Sequence, residues 1–264
     1  MPPAAPPRPA RPTESRATEP RASAPRSLLD DPERHPLRPA GAAAALGRVV
    51  VLAPHADDES LGCGGLLALL ADAGRPAHVV VVTDGARSHA SPTWPPARLR
   101  ALREVEAQRA VRHLGHGPRV EFLRHADCGL PDEGTAAFEA AADRLQALVA
   151  DLAPDTVVVP WRRDPHCDHV ATWRLAAARR DPAVRWVEYP VWAWTDAAAA
   201  PRDDEAAAWR IDVSAALDRK GRAVGAHRSQ TTRLIDDDPG GFVLEPAVLA
   251  HFERPWELFL DPHD

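Results

Sequence analysis

Residues 48–59 read Arg48-Val49-Val50-Val51-Leu52-Ala53-Pro54-His55-Ala56-Asp57-Asp58-Glu59. Arg48 to Pro54 is a short, nearly unbroken apolar run, the pattern of a strand covered on both faces. The residues that follow place an imidazole and three carboxylates at its carboxyl end. Working outward, Leu61 to Ala73 reads as a helix stopped by Gly74, and Ala77 to Thr83 as a second buried strand. Pro96 to Leu114 is a long Arg/Glu-rich helix closed by Gly115. Arg119 to Leu123, Thr156 to Pro160 and Val184 to Tyr189 continue the strands; Thr135 to Leu152 and Val170 to Arg179 continue the helices. Strands alternating with helices predict an α/β fold, a Rossmann-like, mostly parallel sheet with helices on both faces. Beyond Trp194 the pattern weakens to an Ala/Asp-rich loop, a helix around Val213 to His227 and an irregular tail.

Composition narrows the function. The 264 residues carry a formal charge of −6, with no concentrated basic face of the kind nucleic acid requires. No apolar run is long enough to span a bilayer. Three widely spaced cysteines, Cys63, Cys128 and Cys167, do not form a disulfide framework. Lys220 is the only lysine. Residues 1–46 are rich in Pro, Ala and Arg without apolar periodicity, so a disordered extension is expected there, with a single domain over 47–264. Glu14, Glu19 and the prolines interrupt an organelle-targeting helix, and no secretory apolar core opens the chain. A cytoplasmic protein is expected.

In open parallel sheets, ligands sit beyond the carboxyl ends of the strands, near the point where strand order reverses. Two motifs fall there: His55-Ala56-Asp57-Asp58-Glu59 after the first strand, and Asp164-Pro165-His166-Cys167-Asp168-His169 after the fourth. A catalytic zinc takes three ligands from His and carboxylate and keeps a position for water, and His55, Asp58 and His169 supply that set. Three neighbouring acids repel one another unless a cation meets them. With Asp58 engaged as ligand, Asp57 is the general base for a water whose pKa a dication lowers. His166 faces the same region as an oxyanion stabiliser, with Asp168 expected to orient its ring and favour its charged form. Taken singly, an acidic cluster after a strand is commonly a helix N-terminus. Two such motifs at the ends of two strands of one sheet make that bland account much weaker.

With both motifs in place, the sequence resembles the LmbE-like, or PIG-L, family of metal-dependent deacetylases, whose hallmark is Pro-His-x-Asp-Asp-Glu after the first strand. The similarity runs from about Arg48 to His169 and more loosely to Gln230. The resemblance implies a Rossmann-like fold and zinc-dependent hydrolysis of an N-acyl group, usually acetyl on the 2-amino group of a glucosamine unit. It implies the same roles for His55, Asp58 and His169 as ligands, Asp57 as base, and His166 with Asp168 as its modulator. It also makes Asp127 a carboxylate that binds sugar hydroxyls. Departures stand out: Cys167 replaces a proline of the second motif, and the loop Thr83 to His89 lacks a Gly-Glu pair. Arg87 in that loop is a candidate contact to substrate hydroxyls, and His89 stands close by. The expected partner is a small N-acylated amino sugar or glycoconjugate, with neither nucleic acid nor membrane.

Rival readings use the same residues differently. Gly62-Cys63-Gly64-Gly65 suggests a dinucleotide loop, yet its glycines follow the strand too late and three acids would repel a diphosphate. They fit close approach of the helix to the sheet better. Two His and one carboxylate also suit non-haem iron, and ligand type alone does not separate Zn²⁺ from Fe²⁺ or another divalent metal. That chemistry leaves Asp57 and His166 without roles. An amidase acting on another amide conjugate, or a non-catalytic sugar-binding protein of the same fold, are the remaining alternatives. Trp186, Trp192, Trp194 and Tyr189 suit either sugar stacking or core packing, so a longer acyl chain stays open.

Overall fold

The structure is a computed structural model and describes residues 26–263. Among them, β1 (Leu37–Arg38), β2 (Val49–Ala53), β3 (Ala77–Thr83), β4 (Arg119–His125), β5 (Thr156–Pro160), β6 (Arg185–Tyr189), β7 (Ala206–Asp212) and β8 (Trp256–Pro262) form one sheet. Its order is β1-β7-β8-β6-β5-β2-β3-β4. Only β8 runs antiparallel to its neighbours, and every other pairing is parallel.

The period-two geometry of a strand explains why the central strands read as continuous apolar runs. Val49, Val51 and Ala53 of β2 enter one core, while Val50 and Leu52 enter the other. Val79 and Val81 of β3 likewise part from Val80 and Val82. The first core is roofed by α1 (Asp58–Asp72) and α2 (Pro96–Leu114). The second lies under α3 (Ala136–Leu152) and α4 (Cys167–Ala177). Next, α5 (Leu217–Ala226) packs on α1 and α2, and α6 (Arg228–Thr231) follows it. From Asp58 to Leu70, α1 is buried on every side. A Cβ on Gly62 would stand 2.3 Å from the Tyr189 ring, so the glycines of this helix serve close packing on the sheet, as expected.

Two expectations need correction. The loop expected after Trp194 and the irregular tail expected after His227 each contain a strand: β7 and β8 pair along their whole lengths, and β8 lies inside the sheet between β7 and β6. The Ala206-Ala207-Ala208 start of β7 carries no strand signal of its own; β8 and a third core containing Leu28, Trp161, Trp256 and Leu258 supply the burial. Within the segment 1–46 expected to lack order, residues 1–25 lie outside the described residues. Residues 26–46 are held by long-range contacts that local composition does not reveal. Leu28 N–H donates to Pro201 O at 2.8 Å, β1 pairs with β7, and Ala43 and Leu46 enter the first core.

Neighbouring strands β2 and β5 mark the point where the chain turns to opposite sides of the sheet, toward β3 and β6 respectively. The crevice outside their carboxyl ends is where such sheets bind ligands.

Candidate active site

The loop leaving β2 enters α1 through a backbone that few residues adopt. Asp57 has φ 146° and ψ −31°, a conformation costing on the order of 1–3 kcal/mol that persists only when its surroundings impose it. Those surroundings are visible. The Asp57 N–H donates to Glu59 Oε2 at 3.0 Å, and the buried Arg103 of α2 donates Nη2 to Ala56 O at 2.9 Å and Nη1 to Gly85 O at 3.0 Å. The same guanidinium lies 3.4 Å from Asp57 Oδ2. Burial, with the Asp58 charge beside it, pushes the Asp57 carboxyl up to about 6 despite Arg103. Glu59, wholly buried, accepts from Ser60 Oγ at 2.7 Å and pairs with His227 Nε2 at 2.9 Å.

Asp58 Oδ2 is the focus of the site. It stands 3.3 Å from His55 Nδ1 and 3.2 Å from His169 Nε2. A tetrahedral ion with bonds of about 2.0–2.1 Å separates its ligand atoms by about 3.3–3.4 Å, so each of these two separations, taken by itself, fits a pair of ligands on one cation. Burial opposes a charged Asp58, yet His169 and His55 hold its carboxyl well below the usual range. Burial likewise opposes a charged His169, but Asp58 and Asp164 outweigh it and push the imidazole up to about 9. These shifts show a pocket whose carboxylates demand positive charge, supplied by protonated imidazoles or by a cation. Behind His169, the fully buried Asp164 lies 3.2 Å from Nδ1 and accepts the N–H groups of Val191 and Trp192. A carboxylate behind a metal-binding imidazole fixes its tautomer and orientation.

The second motif opens α4. His166 is its N-cap, and Nδ1 accepts the Asp168 N–H at 3.2 Å. That bond assigns the proton of a neutral ring to Nε2. Burial and the neighbouring His55 and His169 rings lower the His166 pKa. Here the expectation for Asp168 is corrected. Its carboxylate does not hydrogen-bond the His166 ring, and the favour its charge lends the imidazolium is outweighed by burial and the neighbouring imidazoles; it accepts from the Cys128 N–H at 2.8 Å and lies 3.1 Å from His55 Nε2. His55 faces the Asp127 carboxylate as well, 3.6 Å away. The groups here whose donor atoms all fall within 4.8 Å of one another are His55, His166 and His169, and His55, Asp127 and Asp168, rather than the expected trio with Asp58. His55 is common to both alternative clusters.

A cleft of about 340 Å³ opens over these groups, and Arg87, Asp127, His166, Trp192, Gln230 and Phe242 line it. Asp127 accepts the Arg87 N–H at 2.9 Å, which holds the two loops together and leaves the Arg87 side chain exposed at the rim. Among the aromatics expected near the site, only Trp192 lines the cleft, edge-on to Phe242 with ring centroids 5.8 Å apart. Trp186 packs in the second core, Tyr189 donates its hydroxyl to Leu52 O, and Trp194 stacks on His251. His89 is buried against Gly241 rather than lining the cleft. Farther along, Lys220 pairs with Glu257 at 2.8 Å, both side chains almost wholly buried; Glu257 also accepts the Gly65 and Leu66 N–H groups of α1. Ser229 binds Glu106, and Gln230 reaches the cleft.

Sequence reasoning missed Arg103, Asp164 and the Glu59–His227 pair. A signal for Arg103 existed: Leu99, Arg103, Ala107 and Ala110 share the buried face of α2 at helical spacing. An arginine on an apolar stripe needs buried acceptors.

Residues 50–179 match the family described as PIG-L: GlcNAc-PI de-N-acetylase. The 2'-N-acetylparomamine deacetylase of Streptomyces fradiae is 33% identical over 143 residues, covering 47% of this chain and 49% of that protein. The chain thus spans about half the length of that relative. A probable N-acetyl-alpha-D-glucosaminyl L-malate deacetylase 2 of Bacillus cereus is 29% identical over 206 residues, covering 72% of this chain and 86% of the relative. Among solved structures, the N,N'-diacetylchitobiose deacetylase from Pyrococcus horikoshii superposes with a TM-score of 0.58 at 21% identity, covering 76% of each chain. That last likeness is one of fold.

Proposed function

We propose that the protein, whose residues 50–179 match the PIG-L family, is a divalent-metal-dependent hydrolase that removes the N-acetyl group of a small amino sugar of the N-acetylglucosamine type. The observation that carries this reading is the placement of Asp58 Oδ2 within 3.3 Å of a nitrogen on each of His55 and His169, with the Asp57 carboxyl in the same cleft.

His55, Asp58 and His169 would hold the metal, for which zinc is the proposal; Asp127 and Asp168 turn toward His55 from its other side. When bound, such an ion polarises an amide carbonyl and lowers the pKa of water beside it. Asp57 accepts the proton of the attacking water, and Arg103 fixes that carboxylate while balancing its charge. His166 donates from Nε2 to the oxygen that gains charge as the carbonyl carbon becomes tetrahedral, because Nδ1 is engaged by the Asp168 N–H. The C–N bond then breaks, and the amine leaves with a proton returned by Asp57 or His166. Water ends in acetate and the amine. Asp127 and Arg87 are placed to bind hydroxyls, and the Trp192–Phe242 wall to lie against a sugar face.

No described helix is long and apolar enough to cross a membrane. A cytoplasmic location is part of the proposal; a reducing compartment would keep the exposed Cys128 and Cys167 as thiols. The decisive experiment measures acetate release from a panel of N-acetylated amino sugars, with and without chelator. Release that chelator abolishes and zinc restores is expected. Binding of panel members without release would identify a sugar-binding protein instead, and release indifferent to chelator would remove the metal from the chemistry.

A further inference from the structure

Cys167 stands where the related motif carries proline, and the fold brings a second thiol to it. Cys128 follows Asp127 in the turn after β4, with φ 50°, and its N–H donates to Asp168 Oδ2 of α4 at 2.8 Å. That bond joins the turn after β4 to the first turn of α4, where Cys167 is the first helical residue. Donor atoms of Cys128, His166 and Cys167 consequently lie within 4.8 Å of one another, and both cysteines are exposed. Cys167 Sγ is 3.9 Å from His166 Nδ1.

We propose that Cys128, Cys167 and His166 form a second metal site at the mouth of the cleft, selective for a thiophilic divalent cation such as Zn²⁺, Co²⁺ or Cd²⁺. Two thiolates and one imidazole are a soft donor set, and a fourth position remains open to solvent. With metal–sulfur bonds of about 2.3 Å and metal–nitrogen bonds of about 2.0–2.1 Å, neighbouring donors in a tetrahedral site lie about 3.5–3.8 Å apart. Small side-chain rotations bring this cluster into that range. The surroundings favour a cation over lone thiolates: partial burial, Cys167, Asp127 and Asp168 together push the Cys128 thiol up to about 12. The same two carboxylates attract a dication, whose binding releases the thiol protons to solvent.

The site shares one residue with the proposed chemistry. An ion on Nδ1 of His166 displaces the Asp168 N–H, reorients the ring and takes it from the oxyanion. Excess thiophilic metal therefore inhibits, whereas Mg²⁺, an oxygen-seeking ion, does not.

Cobalt separates this site from the one at His55, Asp58 and His169, which holds no sulfur. Titration of metal-free protein with CoCl₂ is expected to produce a sulfur-to-cobalt charge-transfer band in the near ultraviolet. His55→Ala keeps the band; Cys128→Ser and Cys167→Ser each weaken or abolish it while the other equivalent of cobalt remains. Cys63→Ala, which alters the buried thiol, leaves it unchanged. Absence of the band through several equivalents, or its survival in both cysteine variants, overturns the proposal. So does a fully reduced, air-exposed protein that loses two hydrogens by mass and takes up no thiol-bound cobalt, which marks a Cys128–Cys167 disulfide instead.

Discussion

His169 Nε2 lies 3.2 Å from Asp58 Oδ2, although one residue follows β5 and the other follows β2. His55 Nδ1 is 3.3 Å from that same oxygen. Replacing Asp58 or one of its two partners removes a donor from the set. Asp58→Asn and His169→Ala are expected to lose the tightly held divalent ion on dialysis, whereas wild type retains it. Elemental analysis reads the result. Metal content equal to that of wild type in both variants would rule out this ligand set.

Asp57 reaches the cleft but stands apart from the shared oxygen. Asp57→Asn preserves size and tolerates unusual backbone angles better than most residues. Metal content should stay at the wild-type level while kcat falls by about 10²–10⁴, the range of a lost general base. Undiminished turnover in a metal-loaded Asp57→Asn protein would assign the base elsewhere.

Arg103 serves both fold and site. Arg103→Gln leaves Asp57 buried without its counter-charge and strips donors from Ala56 O and Gly85 O. Breaking a buried pair in this way costs about 3–5 kcal/mol, so thermal denaturation should move down by roughly 6 °C or more. The Arg103→Gln variant should also lose kcat with its metal content intact. A variant with unchanged melting temperature would show that Arg103 is dispensable to the loop.

Gly62 faces Tyr189 with no room to spare. In Gly62→Ala the new Cβ meets the ring at 2.3 Å, which the buried phenol cannot avoid without disturbing its bond to Leu52 O. Overpacking of this kind costs about 1–3 kcal/mol. A lowered denaturation midpoint with an unchanged denaturant slope is the expected outcome; equal stability would mean that α1 shifts freely on β6.

The central strands were legible because both their faces are apolar, so Val49–Ala53, Ala77–Thr83 and Thr156–Pro160 announce themselves without knowledge of their neighbours. The edge was not. Ala206–Asp212 becomes a strand through pairing with Trp256–Pro262, a relationship that no local pattern contains. The site divides similarly. His55, Asp57, Asp58, His166, His169 and Asp127 lie where the strand-end rule places ligands, and the cleft gathers them. The partner of Asp168 depends on how the turn after β4 folds across to α4, and it became His55 rather than His166. Arg103 escaped notice because its acceptors are backbone carbonyls in two loops distant in sequence.

Lys220, the only lysine in the chain, is locked against Glu257 between α5, α1 and β8 with 3% of its side chain exposed. In the folded protein it is therefore shielded from amine-directed crosslinkers and acylating reagents. Its labelling at this one position becomes a clock for the parting of α5 from the sheet. Coupling to a surface through Lys220 would select molecules that have already come apart, whereas the two exposed thiols at the cleft mouth offer attachment of the intact protein.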